Sequence, residues 1–559
     1  MTLSYDEATA QLTAPGERFE TGEVDVAGVS YTAFVQAPAN LRDIFDLVLG
    51  YGDATYLVYE DERYTFTETF ALADGLAAAL QQRYGVAKGD RVAIAMRNYP
   101  EWIITYLGAI SVGAVVVSMN AWWTPDELRY GLEDSGATLL VADRERVERT
   151  RESAAGLGLR TIGVRLGDDH DLADVDRWED VVEAGAPFER VEIAPDDDAT
   201  ILYTSGTTGF PKGAVSTHRA IVQALLGFSC KGAIDKLRRP EEATGSTGTP
   251  VFILIVPLFH VTGCVPVMLG SLASGLKLVI MYKWDPERAL QLIERERVTN
   301  FVGVPTQSWD LLESPAFADH DTSSLASVGG GGAPAPPQLV GRVASSFKSA
   351  SPSIGYGMTE TNAYGPGNSG TDYTTHPTST GRSTPILQVE VRDPEGRPVG
   401  VDERGEIWFK GPNLIRGYWN KPEATADTIV DGWLRTGDLG RIDADGFVYV
   451  EDRAKDMVLR GGENVYCAEV EAAIYEHPSV YEAAVFGVPH ERLGEEVAAA
   501  VVARPGETLD QASLAEFLDG RIAPFKIPTQ VMVFDEALPR NPAGKILKRD
   551  LRDQYLADR

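Results

Sequence analysis

Tyr203-Thr204-Ser205-Gly206-Thr207-Thr208-Gly209-Phe210-Pro211-Lys212-Gly213 is the stretch from which the architecture can be worked out. It follows a short apolar run, residues 200–203, that reads as a buried strand. Its small residues let backbone amides converge on phosphate oxygens, its hydroxyls add donors, and Lys212 adds a charge. A Walker loop would need glycine directly before the lysine and Ser or Thr after it. Here Pro211 precedes and Gly213 follows. The kinase and NTPase pattern is therefore excluded, and a phosphate cradle of another kind is expected.

Working outward, runs at 91–96, 114–118, 138–142, 252–256 and 300–304 also read as buried strands. Helix starts lie between them. Thr124-Pro125-Asp126-Glu127 offers an N-cap, a first-turn proline and a glutamate that closes a capping box. Asp285-Pro286-Glu287 opens another helix, whose apolar face is Ala289, Leu290 and Ile293. Strand–helix alternation predicts an α/β fold with mostly parallel, helix-covered sheets. Residues 231–250, polar and rich in charge, read as a surface loop. Beyond 453 the segments shorten into strands (483–487, 498–503, 529–534) and helices such as 468–476, enough for a small α+β domain. The expected division is a large N-terminal domain over 1–452, a connection at 453–455 and a small C-terminal domain over 456–559.

The chain has 559 residues, too many for one simple core, and a formal charge of −31 from 82 acidic and 51 basic residues. That charge repels nucleic acid and anionic lipid, so neither is expected as a partner. It also means that an anionic substrate must meet a local cluster of cations. Cys230, Cys264 and Cys467 have no paired or metal-type spacing, which fits a reducing cytoplasm. Residues 1–20 lack the apolar run of a signal peptide. The most apolar stretch, 251–270, carries Pro257, His260, Thr262 and Pro266. It reads as a strand, loop and helix, not an integral membrane segment.

Further motifs recur in a fixed order along nearly the whole chain. They are Pro257-Leu258-Phe259-His260-Val261-Thr262-Gly263, Gly331-Gly332-Ala333-Pro334, Tyr356-Gly357-Met358-Thr359-Glu360 and Gly432-Trp433-Leu434-Arg435-Thr436-Gly437-Asp438. Then come Asp452-Arg453-Ala454-Lys455-Asp456, Gly461-Gly462-Glu463-Asn464 and Pro539-Arg540-Asn541-Pro542-Ala543-Gly544-Lys545. With these the sequence resembles the acyl-adenylate-forming superfamily of acyl-CoA synthetases, coumarate-CoA ligases, peptide-synthetase adenylation domains and firefly-type luciferases.

The resemblance implies an ATP site built from Thr204, Ser205, Gly206, Thr207, Thr208, Gly209 and Lys212, with Gly332, Ala333, Pro334, Tyr356, Gly357 and Met358 about the nucleoside. Taken alone, Tyr356 could stack on adenine or pack in a core. Glu360 is a hard oxygen ligand suited to Mg2+, or a helix N-terminal charge; by resemblance it meets the metal while Thr359 meets the α-phosphate. Asp438 could accept from both ribose hydroxyls or form an Asx turn, and Arg453 resembles a second ribose and phosphate contact. Lys455 occupies the hinge position of a mobile small domain. Lys545 would reach into the large domain and stabilise charge on the reacting phosphorus. His260 is either a packed histidine or, by resemblance, a group beside the substrate carboxylate.

The implied reaction joins an acid to the α-phosphate of Mg·ATP, releasing pyrophosphate. Rotation of the small domain then brings Gly461 and Gly462 to the site, and CoA displaces AMP. Phe228, Val261, Phe301, Val304, Gly329, Gly330 and Gly331 fall where similar enzymes line the acid site; being apolar or small, they imply a hydrophobic acid, with the glycine run admitting a longer or wider one. A different acceptor (an amine or a carrier-protein thiol) and a non-catalytic nucleotide-binding regulator are the rival readings. The assembly is open, a homodimer included.

Overall fold

The computed structural model describes residues 3–167, 174–204, 211–240, 242, 249–333, 335–347, 349–453, 455–461, 463–541 and 544–557. Two eight-stranded sheets form the body of the large domain. In the first, Asp198–Thr204, Val115–Ser118, Arg91–Ala95, Leu139–Asp143, Arg160–Val164 and Val175–Arg177 run parallel in that order. Lys212–Thr217 and Gly417–Tyr418 then continue the sheet antiparallel. In the second, Ser351–Gly355, Ser327–Gly331, Asn300–Gly303, Val251–Leu254, Lys277–Ile280 and Thr55–Tyr59 are parallel. Antiparallel edge strands flank them.

The inner parallel strands Arg91–Ala95, Val115–Ser118 and Leu139–Asp143 are buried along nearly their whole length because helices cover both faces, whereas Val175–Arg177 and Ser351–Gly355 are only partly buried. The helix Pro100–Ser111 is buried nearly all round and packs on strands of both sheets, which explains its lack of a polar face. The helix starts at Thr124 and Asp285 form as expected: Thr124 accepts from Glu127 N in a capping box, and Asp285 accepts from Arg288 N. The stretch after residue 250 is the strand Val251–Leu254 followed by a turn and the Gly263–Leu269 π-helical segment. No helix among the described residues is long and apolar enough to cross a membrane.

Residues 231–238 correct the loop expected over 231–250: the helix His218–Arg238 runs through them. Several of its charges are paired along and across the helix. Lys231 Nζ meets Asp235 Oδ2 at 2.8 Å, and Arg238 Nη1 meets Asp372 Oδ2 at 2.7 Å, while Cys230 and Ile234 are buried.

A five-stranded antiparallel sheet (Gln388–Arg392, Gly405–Lys410, Ile429–Val430, Trp433–Ile442, Val448–Arg453) leads to the smaller C-terminal domain. There Val480–His490 and Gly494–Ala503 form a long antiparallel pair, with Gln530–Phe534 parallel to the second. Buried residues on the two faces of this pair form separate clusters, one around Val470, Ile474, Val485 and Val501, the other around Phe486, Ala500 and Leu551. All three cysteines are free and buried.

Candidate active site

Three neighbouring strands of the second sheet end at one place. Val304 follows Asn300–Gly303, Gly332 follows Ser327–Gly331, and Tyr356 follows Ser351–Gly355. The carboxyl ends of parallel strands are where such sheets bind ligands. These residues line a cavity of about 310 Å³, closed from the other side by the small domain, which contributes Tyr475, Tyr481, Gly544 and Lys545.

Asp438 organises one wall. It is only 5% exposed, and it sits on the long strand Trp433–Ile442, opposite Arg453 in the antiparallel register. Tyr356 donates its phenol to Asp438 Oδ2 at 2.6 Å, and Arg453 Nε approaches Oδ1 at 3.1 Å. Each carboxylate oxygen keeps a further acceptor position. Burial beside that carboxylate holds the Tyr356 phenol far above its ordinary pKa, so it remains a donor. The Tyr356 ring leans on Phe409, centroids 5.5 Å apart. Met358, Gly357 and Ala333 complete this part of the lining.

A second cluster forms around Tyr418, a residue the sequence motifs did not single out. Its hydroxyl donates to Glu360 Oε1 at 2.6 Å, and Lys212 Nζ stands 4.2 Å from its ring centre. Lys212 starts the strand that pairs with Gly417–Tyr418, so backbone pairing brings the lysine and the ring together. Glu360 is 6% exposed in the short turn Thr359–Thr361. That turn is pinned by Ile415 N donating to Glu360 O at 3.0 Å and by Asn362, which takes Ser216 Oγ at 2.9 Å and gives Nδ2 to Asn413 O at 3.0 Å. No three-ligand cluster for a metal exists among the described residues. Thr204 pairs with Lys212, so the residues on either side of 205–210 are held in one sheet.

Lys545 is half-buried in the cavity. Burial, with Arg453 beside it, pulls its pKa down to about 8 against the opposing pull of Asp456 and Asp438. Its loop is tightly seated. Gly544 has φ +84°, and a methyl group added there would lie 2.7 Å from Val304 Cγ2.

The remaining expected residues are more dispersed. His260 closes a turn after Pro257, and Nδ1 accepts from Thr262 N at 3.3 Å; burial lowers its pKa to about 4, so the ring is neutral at pH 7. Lys455 is exposed just after Arg453. Gly461 gives its amide to Leu493 O at 2.8 Å and is not part of the cavity wall.

Of the expected acid-site residues, Val304 lines the cavity. Phe228 stands edge-on to Tyr364 at 5.2 Å, Phe301 edge-on to Trp284 at 5.9 Å, and Val261 is buried. The room expected along the glycine run is unequal. A methyl at Gly329 would meet Ser353 Oγ at 2.8 Å, one at Gly331 would meet Gly355 O at 3.3 Å, and one at Gly330 has nothing nearer than 3.9 Å. Close strand pairing, not an open chamber, accounts for Gly329 and Gly331. Ser205, Gly206, Thr207, Thr208, Gly209, Pro334 and Gly462 lie outside the described residues.

The family model described as AMP-binding enzyme matches residues 46–419, and that described as AMP-binding enzyme C-terminal domain matches 469–545. The chain is 37% identical over 500 residues to a long-chain-fatty-acid–CoA ligase, FadD13, of Mycobacterium tuberculosis, covering 89% of this chain and 94% of that one. It is likewise 37% identical over 487 residues to a feruloyl-CoA synthase of an Amycolatopsis species, covering 87% and 91%. Among solved structures, ATP-bound MatB from Rhodopseudomonas palustris superposes with a TM-score of 0.79 at 32% identity, covering 92% of this chain and 98% of that one.

Proposed function

The chain belongs to the AMP-binding enzyme family, and from that premise we propose that it converts a hydrophobic carboxylic acid, ATP and CoA into acyl-CoA, AMP and pyrophosphate. It is an ATP-dependent acyl-CoA ligase working in two steps. The acid carboxylate attacks the α-phosphorus of ATP, the bond to pyrophosphate breaks, and acyl-AMP forms. The CoA thiolate then attacks the acyl carbon and AMP leaves with the electron pair of the broken anhydride bond.

The observation that carries this reading is Lys545, from the small domain, lying in the same cavity as Tyr356, Asp438 and Arg453 of the large domain. The ammonium stabilises charge that grows on the phosphoryl oxygens in the transition state. Asp438 accepts from the ribose hydroxyls, with Tyr356 and Arg453 fixing its orientation. Likeness to the family assigns Lys212 and Thr204 to the phosphates and Thr359 to the α-phosphate, although all three stand outside the lining of that cavity. Glu360 fits Mg2+, because one oxygen is held by Tyr418 and the other accepts no bond from a described residue. A single protein carboxylate is typical for an ion that otherwise binds phosphates and water. The ion, when bound, neutralises phosphate charge.

Gly461 stands away from the cavity wall in this pose, so a role for it in CoA binding requires the small domain to turn about 453–455, withdrawing Lys545 after the first step. Residues 1–452 and 456–559 are the two bodies of that motion. Val304 and the space beside Gly330 favour an apolar acyl group over a charged one.

The test is pyrophosphate release over a panel of aliphatic acids of rising chain length and of arylalkanoic acids, followed by mass analysis of the product with CoA. Acid-dependent pyrophosphate and an acyl-CoA mass are expected. No acid-dependent pyrophosphate across the panel would refute the activity.

A further inference from the structure

The helix Pro305–Glu313 connects the cavity to the seam between the domains. At its start, Val304 touches the position where Gly544 precedes Lys545. Thr306 and Trp309 line the cavity one turn further on. At its far end, three side chains face the small domain. Asp310 divides its carboxylate between the two bodies: Oδ2 accepts the indole Nε1 of Trp284 at 2.8 Å within the large domain, and Oδ1 accepts the Tyr481 phenol at 2.7 Å from the small one. Glu313 pairs with Arg504, and the Arg504 guanidinium lies 5.6 Å from the Trp309 ring centre. Trp309, Asp310 and Glu313 fall at three- and four-residue spacing and so share one helix face.

Tyr481 and Arg504 flank the long strand pair of the small domain, Tyr481 within Val480–His490 and Arg504 directly after Gly494–Ala503. Their grip on the helix therefore fixes the whole sheet, and with it the Lys545 loop, relative to the reacting end of the cavity. The Tyr481–Asp310 bond joins a neutral donor to a carboxylate, stronger than the usual neutral pair. Arg504 is 28% exposed and Glu313 22%, so that ion pair is partly screened and contributes less.

We propose that Tyr481 and Arg504 are positioning residues, latching the small domain onto the Pro305–Glu313 helix in the pose that forms acyl-AMP while taking no part in CoA attack. This rests on the two-pose reading above. A residue that merely stabilised the fold would weaken both half-reactions together; a latch specific to one pose weakens only the first.

The experiment uses the full chain with Tyr481→Phe, Arg504→Met and the double variant. Single-turnover acyl-AMP formation is measured with the best acid of the panel. Acyl-CoA formation is measured separately from CoA and the chemically synthesised acyl-AMP of that acid, and thermal melts accompany both. Tyr481→Phe is expected to slow acyl-AMP formation roughly ten- to a hundredfold, the range for losing a hydrogen bond to a charged group. Arg504→Met is expected to slow it by a smaller factor, and the second half-reaction should stay at the parental rate in every variant. Parental acyl-AMP formation in the variants overturns the latch, and so does an equal loss of both half-reactions. A parent that forms no acyl-AMP overturns the ligase reading as well, so the two failures are told apart by the parent alone.

Discussion

Lys545 should give the first half-reaction a basic limb that a surface lysine would not. Its pKa is drawn down from 10.5 to about 8, first by burial and then by Arg453, with Asp456 and Asp438 opposing. The useful form is the cation, so the sign is fixed: activity is present below pH 8 and lost above it. By the titration relation the charged form leads about ten to one at pH 7 and trails by about the same ratio at pH 9. The assay is single-turnover acyl-AMP formation from pH 6 to 10, analysed as kcat/KM, because that ratio reports the free enzyme. Lys545→Arg supplies the control: a guanidinium stays charged throughout this window, so whatever rate it retains should not fall on that limb. Lys545→Ala should lose roughly 10²–10³ in rate at pH 7, as for other charge-stabilising donors. The reasoning is refuted by a parental profile flat to pH 10, by an identical limb in Lys545→Arg, or by an alanine variant as fast as the parent.

Tyr418→Phe keeps a ring over Lys212 but removes the hydroxyl that holds Glu360. MgATP affinity by calorimetry is expected to weaken roughly tenfold, and Tyr418→Leu, which also loses the ring, to weaken further. Gly544→Ala meets both an unfavourable φ and the Val304 side chain. Acyl-AMP formation should slow, with CoA attack on supplied acyl-AMP unchanged; equal slowing of the two would contradict the close seating of that loop. Asp438→Ala leaves Arg453 and the Tyr356 phenol without their shared acceptor. A KM for ATP raised at least roughly tenfold, with a lower melting temperature, is the expected result.

The strands near 91–96, 114–118, 138–142, 200–203, 252–256 and 300–304 were legible as short, largely apolar runs. The parallel strands Val175–Arg177, Ser327–Gly331 and Ser351–Gly355 were not, being built largely from polar residues, glycine and proline. The helix 231–238 was not, since its charged surface is compensated by partners such as Asp372, which no local pattern can foresee. The antiparallel sheet around Trp433–Ile442 was equally hidden: its burial alternates along the strand, and its pairing joins segments such as 405–410 and 433–442 through intervening turns. Tyr356, Asp438, Arg453 and Lys545, each singled out from a short motif, line one cavity. Residues whose placement depends on contact carry no such motif. Tyr418 acquires its place only when its strand pairs with Lys212–Thr217, some two hundred residues earlier, and Asp310 only when Tyr481 docks.

The net charge of −31 demands a local cation cluster for a nucleotide, and the chain meets that demand from two domains. Arg453 is anchored to Asp438 and Lys212 to the Tyr418 ring within the large domain, whereas Lys545 arrives with the small one. Burial first, and then Arg453, disfavours the charged form of Lys545 against the pull of Asp456 and Asp438, so seating the cation in an empty site carries a net cost. In the proposed reaction a triphosphate bound between Arg453 and Lys545 would reverse that balance, since each cation would then meet an anion before it meets the other. Contacts that favour the closed pose irrespective of nucleotide, such as Asp310–Tyr481, set how much of this cost remains to be overcome. Under the two-pose reading proposed above, separating the cations between two bodies makes closure depend on the substrate that needs it.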